Sequence, residues 1–409
     1  MSQKYPGGII SKTAPVTVGP VDGEGGSAPG IWTLDQAMEL QKQNLWPKPP
    51  ILKELYAWGR NSVGFLGLND TNNRSSPTQV GSQTDWLQVS SRYISFAVKT
   101  NNTLWSLGGE AISGQSGLGD VIDRSSPVQV GALSNWAQVH APGGATRAIK
   151  TDGTLWAWGS GANGGLGDDS TVNKSSPIQV GALTSWSKVY GTGNSSVAIK
   201  TDGTLWVWGS NTSGQLGLNL YFSGQNRSSP VQVGILTDWL QVDGGSAHVV
   251  ALKTNGTIWS WGRANYGQLG HNNTTYRSSP VQIGALSDWA QVSAGGNWCL
   301  ALKTNGTLWS WGKGGEFQLG QGGYGTNYNR SSPVQIGVIT SWSKISAGMF
   351  TGFAIKTNGT LWSWGNPSQG ATGQNNSDFT YSPTQVGALT TWLRLGNMKS
   401  TTAFAIKTP

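Results

Sequence analysis

From residue 55 onward the chain is a succession of short apolar runs alternating with polar positions, broken by Gly, Asn, Ser and Pro. No stretch sustains the 3.6-residue period of an amphipathic helix, so the pattern predicts strands joined by tight turns. One pattern recurs: Leu308-Trp309-Ser310-Trp311-Gly312, a loop, Ser331-Ser332-Pro333-Val334-Gln335-Ile336-Gly337, Trp342, and Ala354-Ile355-Lys356-Thr357. Its opening position returns at Leu55, Leu104, Leu155, Leu205, Ile258, Leu308 and Leu361, a step of about 50 residues. A period of that length marks an array of supersecondary units, each unable to bury its own apolar face.

Within a unit, Asn305-Gly306 separates two strand patterns, and Asp152-Gly153, Asp202-Gly203, Asn255-Gly256, Asn358-Gly359 and the weaker Asn101-Asn102 stand in the same place. Such dipeptides suit a two-residue type I′ turn, which predicts six antiparallel hairpins. A strand at Trp289-Ala290-Gln291-Val292 before the hairpin and one beginning at Pro333 after it complete a four-stranded antiparallel blade. Pro at the start of the last strand fits an edge, where a missing N–H breaks no ladder. Trp309 and Trp311 share one strand face and Leu308 and Ser310 the other, so both faces are expected to pack on neighbouring blades. The first unit lacks its opening strands and the last lacks its closing ones. We therefore expect Ala405–Thr408 to pair with Leu55–Gly59, closing a ring with no exposed sheet edge.

The Leu-Trp-x-Trp-Gly element, the Gly-Gln-Leu-Gly loop at 214–217 and 267–270, Ser-Ser-Pro-Val-Gln-Val and Ala-Ile-Lys-Thr-Asn-Gly together resemble the regulator of chromosome condensation repeat family over residues 55–408. That resemblance implies an all-β seven-bladed propeller of four-stranded antiparallel blades. It fixes no single function, because the family includes a nuclear exchange factor, parts of ubiquitin ligases and a secreted inhibitor of β-lactamases.

Composition narrows the function classes. The single Cys299 excludes an intramolecular disulfide, and no Cys/His cluster has metal-ligand spacing. There is no basic start followed by an apolar run and no apolar stretch of membrane-spanning length, so the chain is expected to be soluble and not exported by a signal peptide. The net charge of +8 lies on the repeats. Residues 1–50 balance Lys4, Lys12, Lys42 and Lys48 against Asp22, Glu24, Asp35 and Glu39. Lys99, Lys150, Lys200, Lys253, Lys303, Lys356 and Lys407 recur once per unit, as do Arg74, Arg124, Lys174, Arg227, Arg277 and Arg330 before Ser-Ser-Pro. Charge distributed by rotation makes rings rather than the one-sided patch of a nucleic-acid binder. The second set is expected to fix blade spacing through a neighbouring carbonyl or carboxylate.

Catalysis finds no support. His140, His248 and His271 are unrepeated and read as loop residues, Cys299 as a small buried hydrophobe, and Gly159–Gly164 as a dinucleotide pattern with no helix to follow it. No catalytic, cofactor or metal residue is expected. The candidate binding face is the set of irregular loops between first and second and between third and fourth strands, which carry Tyr221, Phe222, Tyr266, Tyr276, Trp298, Phe317, Tyr324, Tyr328, Met349, Phe350 and Phe379.

Residues 1–50 read as an extended arm with a short helix near 33–46, opened by the Thr33/Gln36 capping box and stopped by Pro47 and Pro49; the propeller occupies 51–409. The runs Tyr5–Thr13, Gly30–Leu34 and Leu45–Pro47 resemble the leaders of tailed-bacteriophage structural proteins, which implies an anchor carried by Ile9, Ile10, Trp32, Leu34 and Trp46. The expectation from this set is a non-enzymatic virion structural protein in an oligomeric assembly. Its arm would attach to other virion proteins, and its propeller would face neighbouring subunits or a host-surface glycan or protein. The alternative is a soluble, cytoplasmic protein-binding propeller acting as an inhibitor or exchange factor on an enzyme.

Overall fold

A computed structural model describes Met38, Lys42 and residues 51–141, 143–220, 225–323 and 328–409. The proposed anchor residues Ile9, Ile10, Trp32, Leu34 and Trp46, and Tyr221, Phe222 and Tyr324, lie outside the described residues. Met38 and Lys42, the two described positions of the predicted arm helix, are both helical.

Residues 53–407 form seven sheets of four antiparallel strands, one of them extended by Asn397–Met398, which pairs parallel to Trp86–Ser91. A representative blade is Trp289–Ala294, Trp298–Lys303, Leu308–Gly312 and Arg330–Gln335, hydrogen-bonded in that order. Numbered around the ring, blade 1 combines Glu54–Gly59 and Arg74–Gln79 with Trp392–Leu395 and Thr402–Lys407. Its central pairing sets Glu54 opposite Lys407 and Gly59 opposite Thr402, so the ring closes as the pattern predicts. The blades beginning at Trp86, Trp136, Trp186, Trp239, Trp289 and Trp342 are blades 2 to 7.

Each of the seven apolar clusters lies between two blades. One joins Val197, Leu205 and Val207 of blade 4 to Trp239, Val249 and Trp261 of blade 5; another joins Phe353 and Leu361 of blade 7 to Trp58 and Trp392 of blade 1. Trp311 faces blade 5 while Leu308 of the same strand faces blade 7, as the alternation of the strand requires. Among the described residues no blade has a core of its own, which is why the unit must repeat.

Two local expectations are corrected. The hairpin loop has three residues, not two: Lys150 N–H donates to Thr154 O at 3.0 Å, Gly153 N–H to Lys150 O at 2.9 Å, and only Gly153 takes positive φ, at 76°. This is a type I turn followed by a left-handed bulge residue, a role Asn102 fills in blade 2 at φ 59°. The Asx side chain is free to cap the turn, and Asp152 Oδ1 accepts from Thr154, whose hydroxyl accepts from Trp156 Nε1 at 2.9 Å. Pro333 does not open its strand either. The strand starts at Arg330, and Pro333 falls within an irregularity between the Gly312–Arg330 and Ser310–Val334 pairs, where no ladder donor is required.

Candidate functional site

The repeated residues hold the ring together. Trp261 Nε1 donates to Gln215 O of the preceding blade at 3.0 Å, and the same staple is made by Trp158, Trp208, Trp311, Trp364 and, across the closure, Trp58 to Ala371 O at 3.1 Å. Gly217, at φ 70°, lies so close that a Cβ there would sit 2.8 Å from the Trp261 Nε1. A further backbone bond, such as Asn272 N–H to Ser331 O at 2.6 Å, uses the first Ser of Ser-Ser-Pro to tie each outer strand to the loop of the blade before it.

Six of the seven repeated lysines sit between two Trp rings, and their distance from the second ring depends on one neighbour. Lys253 and Lys303 have an Asp partner, at 3.1 Å in both cases, and their ammonium groups lie 4.4 and 4.7 Å from Trp259 and Trp309. In blades 3, 4 and 7 that Asp is replaced by Asn135, Ser185 and Ser341, and Lys150, Lys200 and Lys356 settle to 3.6 Å from Trp156, Trp206 and Trp362. Burial holds these three below the ordinary lysine value, and the ring quadrupole takes the place of the absent carboxylate. The basic residue before Ser-Ser-Pro serves its own loop rather than blade spacing: Arg124 pairs with Asp120 at 2.7 Å, and Arg330 donates to Asn329 O.

Unrepeated chemistry collects in the centre. The first strands of all seven blades line a channel cavity of about 200 Å³. Gln88, Gln138, Gln241 and Gln291 each donate to and accept from one backbone position of the next blade, as in Gln241 Nε2 to Val292 O at 3.0 Å and Val292 N–H to Gln241 Oε1 at 3.1 Å. First strands end on the side carrying the irregular loops. There Lys399, from the first loop of blade 1, reaches Asp243 of blade 5 at 2.7 Å and Ala294 O of blade 6. Both ionised groups are nearly inaccessible, at 5% and 4% exposure, and Asp243 also accepts from Ala294 N–H and Ser293 Oγ.

Around this pair stand His140, His248, Cys299 and Tyr190. Burial, reinforced by the Lys399 charge, pushes His248 down to about 3 and His140 well below the ordinary imidazole value. Burial pushes the Cys299 thiol well up, so its position 3.3 Å from His248 Nε2 is packing and not an activated dyad. His140 and His248 are strand residues, fully buried, which corrects their reading as loop positions. Arg147 occupies a core position that is apolar in the other blades. It donates to Ala145 O and Gly165 O, and burial pushes it down to about 9.

On the loops, the predicted aromatics divide. Tyr266, Lys313 and Phe350 come together from blades 5, 6 and 7, with the ammonium 5.6 and 5.8 Å from the two ring centroids. Met349 is exposed beside Phe350, Tyr328 is exposed at 40% with Arg330 over its ring, and Tyr276 is half-buried. Phe379 is exposed at 41%, its ring 5.0 Å from that of Phe317. Trp298 does not join them. It begins a second strand, is fully buried, and donates to Gly348 O at 3.1 Å, so it belongs to the core between blades 6 and 7.

A family model described as the RCC1-like domain matches residues 89–341, more than half of the chain. The chain belongs to the RCC1-like domain family. A model of the regulator of chromosome condensation (RCC1) repeat also matches residues 54–97, in the closing and first complete blades. Among solved structures, yeast RCC1 (Prp20) bound to Kap60 aligns with a TM-score of 0.74 at 19% identity, over 87% of this chain and 89% of that one. Human WBSCR16 aligns at 0.74 and 18%, over 87% and 99%. Prp20p from Saccharomyces cerevisiae, described with its binding to Gsp1p and histones, aligns at 0.73 and 18%, over 87% and 91%. At these identities the likeness to individual structures establishes the fold.

Measured against the RCC1-like repeat, the functional candidates are departures from it. Phe317 stands where blades 1 to 5 and 7 carry Gly64, Gly114, Gly164, Gly214, Gly267 and Gly370, and it keeps the left-handed backbone at φ 60°. A bulky residue there costs about 1–2 kcal/mol. Opposite it, Tyr381 replaces the repeat's Ser, and the two rings meet edge to face at 4.4 Å. Asp243, Lys399 and Arg147 are not legible from the sequence because no spacing rule joins them. Their only signal was an ionisable residue at a repeat position that is neutral in most other copies. Among the described residues no group of three potential ligands could hold a metal, and no helix is long and apolar enough to cross a membrane.

Proposed function

We propose that this RCC1-like chain is a non-enzymatic protein-binding propeller whose loop face over blades 5 to 7 contacts the partner. The observation that carries this is the cluster of Tyr266, Lys313, Phe350 and exposed Met349, drawn from three blades onto irregular loops, while the repeated aromatics and lysines serve blade packing. Rigid aromatic side chains around a cation suit recognition. Family relatives support the class, since Prp20 is described bound to Kap60 and with its binding to Gsp1p and histones. The channel offers no activated nucleophile, because burial raises the Cys299 thiol and keeps His140 and His248 neutral. To test the reading, partners are captured from source cells, the best is purified, and it is mixed with the chain and with a Tyr266→Ala/Lys313→Ala/Met349→Ala variant. A stoichiometric complex that the variant loses supports it; equal binding by the variant overturns it.

A second reading is favoured by the leader runs within residues 1–50. It makes the chain a virion structural protein, located in a phage particle, with the arm binding other virion proteins and the same loop face turned to a neighbour or host surface. Deleting residues 1–50 should then abolish incorporation into particles while leaving a folded ring, and particles that still carry the truncated chain overturn it.

A further inference from the structure

A further departure from the repeat lies where blades 6, 7 and 1 meet. The third-to-fourth-strand loop of blade 7, with Ser75 of blade 1, encloses a cleft of about 470 Å³ lined by Asn366, Gln369, Asn375, Asn376, Ser368 and Ser377, with Phe379 at its rim. None of its lining side chains is ionisable. Thr380 stands where the first six copies carry Arg or Lys, which removes a charge found beside the same loop elsewhere.

Some of these groups position the others. Asn366 accepts from Ser368 N–H at 2.8 Å and donates to Glu316 at 2.8 Å, Ser75 Oγ donates to Asn375 Oδ1 at 3.0 Å, and Gln369 Oε1 accepts from Thr401 Oγ1 at 3.2 Å. The Nε2 of Gln369, the Asn376 amide and the Ser368 and Ser377 hydroxyls remain open to a ligand. Gln369 is exposed with a left-handed backbone, φ 60°, and so is Asn375, at 58°. Next to the cleft, buried Phe317 supports the exposed rings of Phe379 and Tyr381. The strain at Phe317 is retained although Gly fills the same position in six blades. Carbonyl, amide and hydroxyl groups without charge match the alternating donors and acceptors of sugar hydroxyls. The electron-rich face of an exposed ring matches the C–H face of a pyranose.

We propose that the blade 7 cleft and its aromatic platform form a binding site for a neutral saccharide chain. The site goes beyond protein binding and uses none of Tyr266, Lys313, Met349 or Phe350. Affinity electrophoresis of the full chain through gels containing dextran, yeast mannan, glycogen or hydroxyethyl cellulose, with polygalacturonate as the anionic control, tests it. Retardation by at least one neutral polymer is expected, weakened about tenfold by Phe379→Ala and by Gln369→Ala. The pair Phe317→Gly/Tyr381→Ser, which restores the repeat residues, should show the same loss with a melting temperature kept or raised; a merely structural platform would instead lower it. The Tyr266→Ala/Lys313→Ala/Met349→Ala variant should bind saccharide normally, so failure here and failure of the protein-binding reading are separate results. The proposal is overturned if no neutral polymer retards the chain, if only polygalacturonate does, or if Gln369→Ala and Phe379→Ala migrate like the parent.

Discussion

Mild acid should loosen this ring, and two buried imidazoles set the amount. His248 is fully buried and neutral, with burial and Lys399 pushing its pKa down to about 3, against about 6.5 in an unfolded chain. A group whose folded value is depressed stabilises the fold above its unfolded pKa, and that stability is lost as pH falls from there toward the folded value. Between pH 7.5 and pH 5 the unfolded chain gains about 2 kcal/mol from protonating this one residue, while the folded chain gains almost nothing. His140, also buried and held well below its ordinary value by burial and the Lys399 charge, adds a loss of the same sign. The window stays above the carboxylate range, so most acidic groups do not interfere. Half-buried His271, also lowered by burial, adds a smaller slope. Guanidinium unfolding followed by tryptophan fluorescence at pH 7.5, 6 and 5 measures the loss directly. His248→Gln should remove about 2 kcal/mol of the pH dependence whatever it does to stability at pH 7.5. An unchanged slope in that variant would refute the assignment of a buried neutral imidazole.

Four further outcomes are expected. Lys399→Met leaves Asp243 buried and unpaired and should cost about 3–5 kcal/mol in unfolding measurements, most of it recovered by adding Asp243→Leu. Gly217→Ala, which drives a methyl against the Trp261 staple, should cost about 1–3 kcal/mol more than Gly284→Ala, where the backbone is also left-handed but nothing lies within 4 Å. Ser185→Asp should pull Lys200 away from Trp206 and raise its pKa in an NMR titration, with a stability change of no more than about 1 kcal/mol. Removing residues 396–409 takes Thr402–Lys407, one of the two central strands, from blade 1 and should leave an open ring that fails to melt cooperatively in calorimetry.

What could be read from the residues was what seven blades need in common. Period, strand order, Trp positions and the closure at Glu54–Lys407 follow from a unit that buries its faces only against copies of itself. Errors arose where one residue type satisfies two geometries. Asn-Gly fits both two- and three-residue hairpin loops, and the choice fell to the bulge at Gly306 and its counterparts. Trp298, expected on a loop, occupies the first position of a second strand that holds small or polar residues in several other blades. The contact of Lys399 with Asp243 joins positions 156 residues apart across the channel, beyond any local pattern. In the sequence Phe317 is notable only for its ring. Its meaning came only when the fold placed it against Tyr381, a second exception at the same interface.

The antiparallel seam in blade 1 also has a mechanical consequence. Glu54 and Lys407 lie opposite one another at one end of the pairing, so tension applied outward through these two positions would part the strands like a zipper, one hydrogen bond after another. Load entering through Glu54 and leaving through the fourth strand of any other blade would have to drag whole sheets past their neighbours. A chain tethered by a single end can thus bear pulling on its far rim while remaining easy to unlatch at its own fastening.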